Sequence, residues 1–276
     1  MTTEGEPVEA PVPDRAPFEP STIRAVAFDA YGTLFSWDFQ SAIKDVLDQQ
    51  GLGGNHEEIA KTFQQEAFRK VSIWAPGHSA EDGKLDRKKM LDEHPAEWMT
   101  TWEMWRRQFV YTFEKYELRG DAEAGASHLR TVLSHAPAYP DAFETIERLA
   151  RHGLLLGLMS NADEDFLQSA LSFSRLRFSV IQSSESLRMY KPTRATFLAL
   201  CHRLGYAPGE VLYVGDSAAV DVGGALHAGM RAAWVNRPEE QTPPTPPKPG
   251  ETPPEPPPTP DIEVASLLAI AEALGA

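Results

Sequence analysis

Three carboxylates, a serine, an asparagine and a lysine stand where short apolar runs end. "AVAFDAYGTLF" places Asp29 directly after an apolar tetrad. "LLLGLMSN" ends on Ser160 and Asn161, "SESLRMYKP" presents Lys191 before a proline, and "EVLYVGDSAAVD" carries Asp216 and Asp221. A carboxylate can attack an electrophilic centre and form a covalent ester or acyl phosphate, splitting one difficult hydrolysis into two easier steps. A serine hydroxyl and a lysine ammonium supply donors and positive charge to oxygens that gain charge in such a reaction. Two carboxylates brought together repel one another unless a cation stands between them, and Mg²⁺ suits a site made only of oxygens. A lone aspartate after a strand is often a turn residue or helix cap. A lone lysine before proline is usually a surface residue. Four such pieces, each at a strand end, are much harder to attribute to capping.

The elements that must position these residues follow from periodicity. "TIRAVAFDA" reads as a strand and "SWDFQSAIKDVLDQQG" as a helix closed by Gly51. Only helical patterns follow, to about residue 136. In "HEEIAKTFQQEAFRKVSIW", Ile59, Phe63, Phe68 and Val71 fall near one face. Trp98, Trp102, Trp105, Phe109 and Phe113 recur at three- and four-residue steps, which predicts a helix packing on other helices, with a ligand face as the alternative. After Pro140, strands ("LLLGLMSN", "FSVIQSSE", "EVLYVGDS", "RAAWVN") alternate with helices ("DAFETIERLARHG", "EDFLQSALSFS", "TRATFLALCHRLG", "DVGGALHAGM"). Alternation with near-continuous apolar strands implies a parallel sheet covered on both faces. The fold class is therefore α/β, a Rossmann-like parallel core with an inserted all-helical domain. The expected boundaries are 21–36 and 137–237 for the core and 37–136 for the helical insertion. A disordered lead-in occupies 1–20, a Pro-rich loop 238–260, and a C-terminal return to the core 261–276. In such sheets, ligands bind outside the carboxyl ends of the strands, where the six polar residues stand.

Composition narrows the partners. A net charge of −14 over 276 residues argues against a nucleic-acid backbone or an anionic membrane. The single cysteine, Cys201, excludes a disulfide framework, fits a reducing cytoplasm, and reads as a small core residue. No apolar run is long enough to span a bilayer, and the acidic, Pro-rich start is not a signal peptide. "PPTPP" within 238–260 could dock a proline-binding module, although a solvated spacer is the plainer reading. "SIWAPGHSAEDGKLD" is a candidate substrate loop, with Trp74 and His78 at its rim.

The sequence resembles the haloacid dehalogenase superfamily. Asp29-x-Tyr-Gly-Thr-Leu is similar to its first motif, Ser160 to its second, Lys191 to its third, and Gly215-Asp216-x4-Asp221 to its fourth. The resemblance spans about residues 22–237 and the tail from Asp261. The helical insertion between first and second motifs is then the cap of subfamily I. The resemblance implies Asp29 as nucleophile, with Thr33, Ser160, Asn161, Lys191 and Asp221 completing the catalytic set. It implies Mg²⁺ on Asp29, Asp216 and the Tyr31 carbonyl. Tyr31 stands where phosphatases of the family have an acid–base aspartate. Tyrosine, with an ordinary pKa of about 10, is poorly matched to that task. Asp-Ala-Tyr-Gly-Thr-Leu is instead similar to 2-haloacid dehalogenases, whose halide leaves without a proton. Those enzymes work without metal and carry serine where Asp216 stands and asparagine where Ala218 stands. Arg69 is the nearest candidate for their halide-binding arginine. The expectation is a Mg²⁺-dependent hydrolase of a small phosphorylated or activated metabolite. The alternatives are a metal-independent 2-haloacid dehalogenase and a non-catalytic binding protein.

Overall fold

In the computed structural model, residues 16–71, 91–92, 98–237 and 258–276 are described. The lead-in up to residue 15, the stretch with Trp74 and His78, and residues 238–257 of the Pro-rich segment lie outside them. β1 (Ala25–Phe28), β2 (Leu155–Ser160), β3 (Val180–Ser183), β4 (Val211–Gly215), β5 (Arg231–Val235) and β6 (Ile262–Val264) form one parallel sheet in the order β3-β2-β1-β4-β5-β6. Alternate residues of β1 serve opposite faces, as the two-residue period of a strand requires. Val26 and Phe28 join one apolar cluster, and Ala25 and Ala27 the other. The first cluster holds Ile146 and Leu149 of α6 (Ala142–Arg151), Phe166 and Leu167 of α7 (Glu164–Ser174), and Ile270 of α11 (Leu268–Ala273). The second holds Phe197, Leu200 and Cys201 of α9 (Arg194–Leu204) and Ala225 of α10 (Gly223–His227). Cys201 is a buried free thiol, as expected of a core cysteine. Both faces are covered, which is why the strands read as apolar runs.

Between β1 and α6 the described elements are all helices, joined by turns and loops. α1 (Phe39–Gln49) is capped by Asp38, and α2 (His56–Lys61) by Asn55. A π-helical stretch, Thr62–Ala67, links α2 to α3 (Phe68–Val71). α4 (Thr101–Lys115) and α5 (Ala122–Ser134) complete this helical cap, and α8 (Ser184–Leu187) follows β3 in the core. The aromatic stripe does what its spacing predicts: Trp105, Phe109 and Phe113 are buried, and the Phe109 ring packs at a tilt, centroid 4.4 Å from that of Phe63 in the π-helical stretch. Trp98 precedes the helix, where the Arg188 guanidinium lies 5.6 Å from its ring. No described helix is long and apolar enough to cross a membrane.

The two ends of the Pro-rich segment meet on one carboxylate. Arg237, only 6% exposed, donates to Asp141 and to the Thr33 carbonyl, and its guanidinium stacks 3.8 Å from the Tyr139 ring. The Leu267 amide donates to the same Asp141 at 2.7 Å.

Candidate active site

Strand register places the acids. Phe28 is level with Leu158 of β2 and Val214 of β4, so Asp29 and Gly215 emerge side by side at the carboxyl edge. The strand order reverses between β1 and β4, the position where a parallel sheet opens a crevice. The Asp29 amide donates to the Val214 carbonyl at 2.9 Å, fixing where the side chain starts. The chain then turns tightly: Leu34 and Phe35 amides both donate to the Ala30 carbonyl, and Gly32 to Phe35. Gly32 adopts φ +93°, and a Cβ there would stand 2.5 Å from Asp216 Oδ2. Glycine is therefore needed twice over, for its backbone conformation and for the close approach of Asp216.

Lys191 is at the centre. Its ammonium, 4% exposed with its residue, donates to Asp29 Oδ1 at 2.5 Å, Asp221 Oδ1 at 2.7 Å and the Tyr213 hydroxyl at 2.9 Å. An ammonium has three protons, and all three are used. Lys191 thus fixes the orientation of the Asp29 carboxylate while its positive charge remains at the cavity floor. The hydroxyl of Tyr213, a residue sequence reading missed, donates in turn to the Met159 carbonyl at 2.9 Å. Asp221 Oδ2 accepts from the Ser217 amide at 3.0 Å.

Asn161 lines the cavity and Thr33 lies behind it, and both hold neighbouring groups of the site. Both ends of the Asn161 amide are spent on the main chain of Lys191, at 3.0 Å and 2.7 Å, clamping the second and third loops together. Thr33 is fully buried and donates to Asp216 Oδ1 at 3.0 Å. Ser160 is buried at the end of β2 and lines the cavity beside Asp29.

Burial and crowding set the charge states. Asp29 is pushed up from the ordinary carboxylate value to about 6, chiefly by burial, against the pull of Lys191 and with the help of the Asp221 charge. Asp216 is raised well above the usual range by burial and then by its two acidic neighbours. The ligand oxygens of Asp29, Asp216 and Asp221 lie within 4.8 Å of one another. One ammonium against three carboxylates leaves uncompensated negative charge, so this donor set fits a hard divalent cation.

The cap closes over these groups and leaves a cavity of about 620 Å³. Its floor is Asp29, Ser160, Lys191 and Asp216, and its walls include Trp37, Phe39, Phe68, Met104 and Trp105. Trp105 is thus both a packing residue and a ligand-facing one. Arg69 is exposed and outside the cavity; Gln64, one helical turn earlier, lines it instead. A hollow of about 730 Å³ near Arg24 and His152 contains none of the acids or Lys191.

Tyr31 is held through its hydroxyl and through its ring. Its hydroxyl is directed at the carbonyls of Leu133 at 3.3 Å and Phe166 at 3.4 Å. Burial, and then the Asp29 charge, hold the phenol neutral far above its ordinary value. Its ring packs with Phe35, Trp37 and Phe166.

Comparison with known proteins places this geometry in context. The model of a family of hydrolases, the haloacid dehalogenase-like hydrolases, matches residues 23–229. The chain is 29% identical to (S)-2-haloacid dehalogenase 4A of Burkholderia cepacia, over 78% of this chain and 84% of that protein. It is 36% identical to a phosphoserine phosphatase of Thermus thermophilus, over 72% of this chain and 82% of that protein. Among solved structures, a dehalogenase with an intermediate complex superposes with a TM-score of 0.65 at 27% identity, covering 92% of this chain and 98% of that one.

Proposed function

Because the chain belongs to the haloacid dehalogenase-like hydrolases, we propose that Asp29 displaces halide from the carbon beside a carboxylate, the reaction of a 2-haloacid dehalogenase. The observation that carries this reading is the pairing of a Lys191-held carboxylate with a tyrosine whose hydroxyl is tied to main-chain carbonyls. A leaving group that needs no proton suits such a floor. The aromatic walls suit the carbon chain and halogen of a small substrate. Several relatives named as 2-haloacid dehalogenases support the same choice. This reverses the order of preference that the fourth motif suggested from sequence.

In the first step an Asp29 oxygen bonds to the substrate carbon as the carbon–halogen bond breaks, and halide leaves with the electron pair. Lys191 keeps the carboxylate oriented and opposes its protonation. In the second step water adds to the Asp29 acyl carbon and the ester breaks there, releasing a 2-hydroxyacid and restoring Asp29. Of the two protons of this water, one ends on the oxygen of the departing 2-hydroxyacid and the other is taken by Asp216 in its ionised form, which stands beside Asp29.

A second reading, hydrolysis of an activated phosphate, is favoured by the Asp29–Asp216–Asp221 cluster and by the phosphatase relative. There Asp29, Asp216 and the Tyr31 carbonyl would hold Mg²⁺, which would neutralise the carboxylates and polarise the phosphoryl group.

One screen separates the two. 2-Haloacids, aryl phosphates and alkyl phosphates are offered with Mg²⁺ and with chelator. Halide release indifferent to chelator is the expected result. Phosphate release that needs Mg²⁺, without halide release, overturns the dehalogenase reading.

The pH profile gives a further prediction. The attacking carboxylate must be ionised, and its pKa is raised. The rate therefore falls as pH drops through about 6 rather than near the ordinary aspartate value. A cation bound beside Asp29 favours the ionised form and draws this limb downward. A kcat/KM profile recorded with and without Mg²⁺ reads both effects. A chelator-treated enzyme with full activity at pH about 4, the ordinary aspartate range, contradicts the charge state assigned to Asp29.

A further inference from the structure

We infer that Asp163 and Tyr190 are positioning residues that seat cap helix α4 on the loops bearing Ser160 and Lys191. The inference rests on the cavity being the substrate site. Thr100 caps α4 in the ordinary way, accepting from the Glu103 amide at 3.1 Å. The two amides before that one, Thr101 and Trp102, donate instead to Asp163 Oδ1 and Oδ2 at 2.8 Å and 2.9 Å. Asp163 belongs to the core. It occupies the N-cap position of α7 yet makes no side-chain cap there. The Glu164 amide of α7 is satisfied by Glu185 at 2.7 Å. A carboxylate that the local sequence assigns to its own helix is thus given to a helix of the cap.

Tyr190 acts on the same point. Its hydroxyl donates to the Met99 carbonyl at 2.9 Å and lies 3.3 Å from the Thr101 hydroxyl. Asp163 and Tyr190 are 5% and 2% exposed, so neither bond competes openly with bulk water. Asp163 is three residues past Ser160, and Tyr190 immediately precedes Lys191. Four residues of α4, Thr101, Met104, Trp105 and Gln108, line the cavity. The substrate-facing wall is therefore registered to the two loops that surround the nucleophile, independently of the cap's own packing.

The test uses the full chain as wild type, Asp163→Ala, Asp163→Asn, Tyr190→Phe and the Asp163→Ala/Tyr190→Phe pair. Amide hydrogen exchange is followed over residues 98–108, with β1 as internal control, and halide release is followed on 2-chloropropionate. Asp163→Ala should speed exchange in 98–108 and leave β1 protected. It should raise KM about 10–100-fold, the range set by losing hydrogen bonds to a charged group, while kcat changes much less. Asp163→Asn, which keeps one acceptor, should fall between. The pair should be non-additive because both side chains hold one helix end. Unchanged exchange in Asp163→Ala overturns the inference whatever the kinetics. Faster exchange with unaltered KM overturns the positioning role. If wild type releases no halide, the exchange arm still decides the seating, and the failure belongs to the functional reading. Should Asp163→Ala not fold, Tyr190→Phe keeps the ring packing and decides by the same readouts.

Discussion

Asp29→Asn yields a folded protein that has lost about 10⁴-fold or more in kcat, the scale on which removal of a covalent nucleophile is felt. The side chain is almost isosteric, and its neighbours Lys191, Asp216 and Asp221 remain. The loss therefore reports the missing nucleophile rather than a disrupted site. The substitution also leaves Lys191 facing one carboxylate fewer, so thermal unfolding is measured beside turnover. A labelling experiment on wild type checks the same claim from another side. In a single turnover in heavy-oxygen water, the label should enter Asp29, and the product should carry the oxygen Asp29 already held. Label found directly in product, together with a near-native Asp29→Asn rate, removes covalent catalysis from this site.

Lys191→Met has the second large effect, on stability as well as rate. It leaves Asp29 and Asp221 buried without their shared cation and removes a donor from Tyr213. Breaking a buried ion pair from one side costs about 3–5 kcal/mol, because the abandoned charge stays desolvated. The pH dependence follows by sign. Lys191 lowers the Asp29 pKa, so its removal raises that pKa further and moves the acid limb of the rate profile above about 6. Denaturant melts across a pH series read both consequences. The stability loss should be smaller at acid pH, where the stranded carboxylates are neutral. A variant within about 1 kcal/mol of wild type, in the range of ordinary surface substitutions, and with an unmoved limb would show that the three hydrogen bonds do not carry the charge balance assigned to them.

Asp29 and Asp216 were legible because each directly follows an apolar strand, and a parallel sheet brings such ends to one edge. Asp29, Ser160, Lys191, Asp216 and Asp221 all meet there. The division of labour among them was not legible. Whether a lysine faces substrate or is saturated by neighbours depends on partners scattered from Asp29 to Asp221. Asn161 and Thr33 match the motifs, but their partners, the Lys191 main chain and Asp216, are visible only in the fold. Tyr213 reads as one more apolar residue of β4. Its hydroxyl gains meaning only from Lys191 and from Met159 on a strand that is not its direct neighbour. Asp163 begins the apparent helix start "DEDFL", and sequence alone assigns it there. Its actual partners lie 61 and 62 residues upstream, across the boundary between core and cap.

The joint at Asp141 bears on how this chain can change over generations. Arg237 and Leu267 fasten the strand before and the segment after the Pro-rich stretch to the same carboxylate, and the Asn236 amide already donates to Val264 at 2.8 Å. The ends of the insertion are thereby fixed whatever lies between them. Closing a longer loop between fixed ends costs only about 0.6 kcal/mol per doubling of length. Growth or compositional drift of that stretch is therefore nearly neutral for the sheet. Contraction has a floor, since β5 and β6 are parallel and need a crossover of about a dozen residues or more. Above that floor the lineage can lengthen, rewrite or exchange the segment without disturbing the turn after Asp29 that Arg237 also holds.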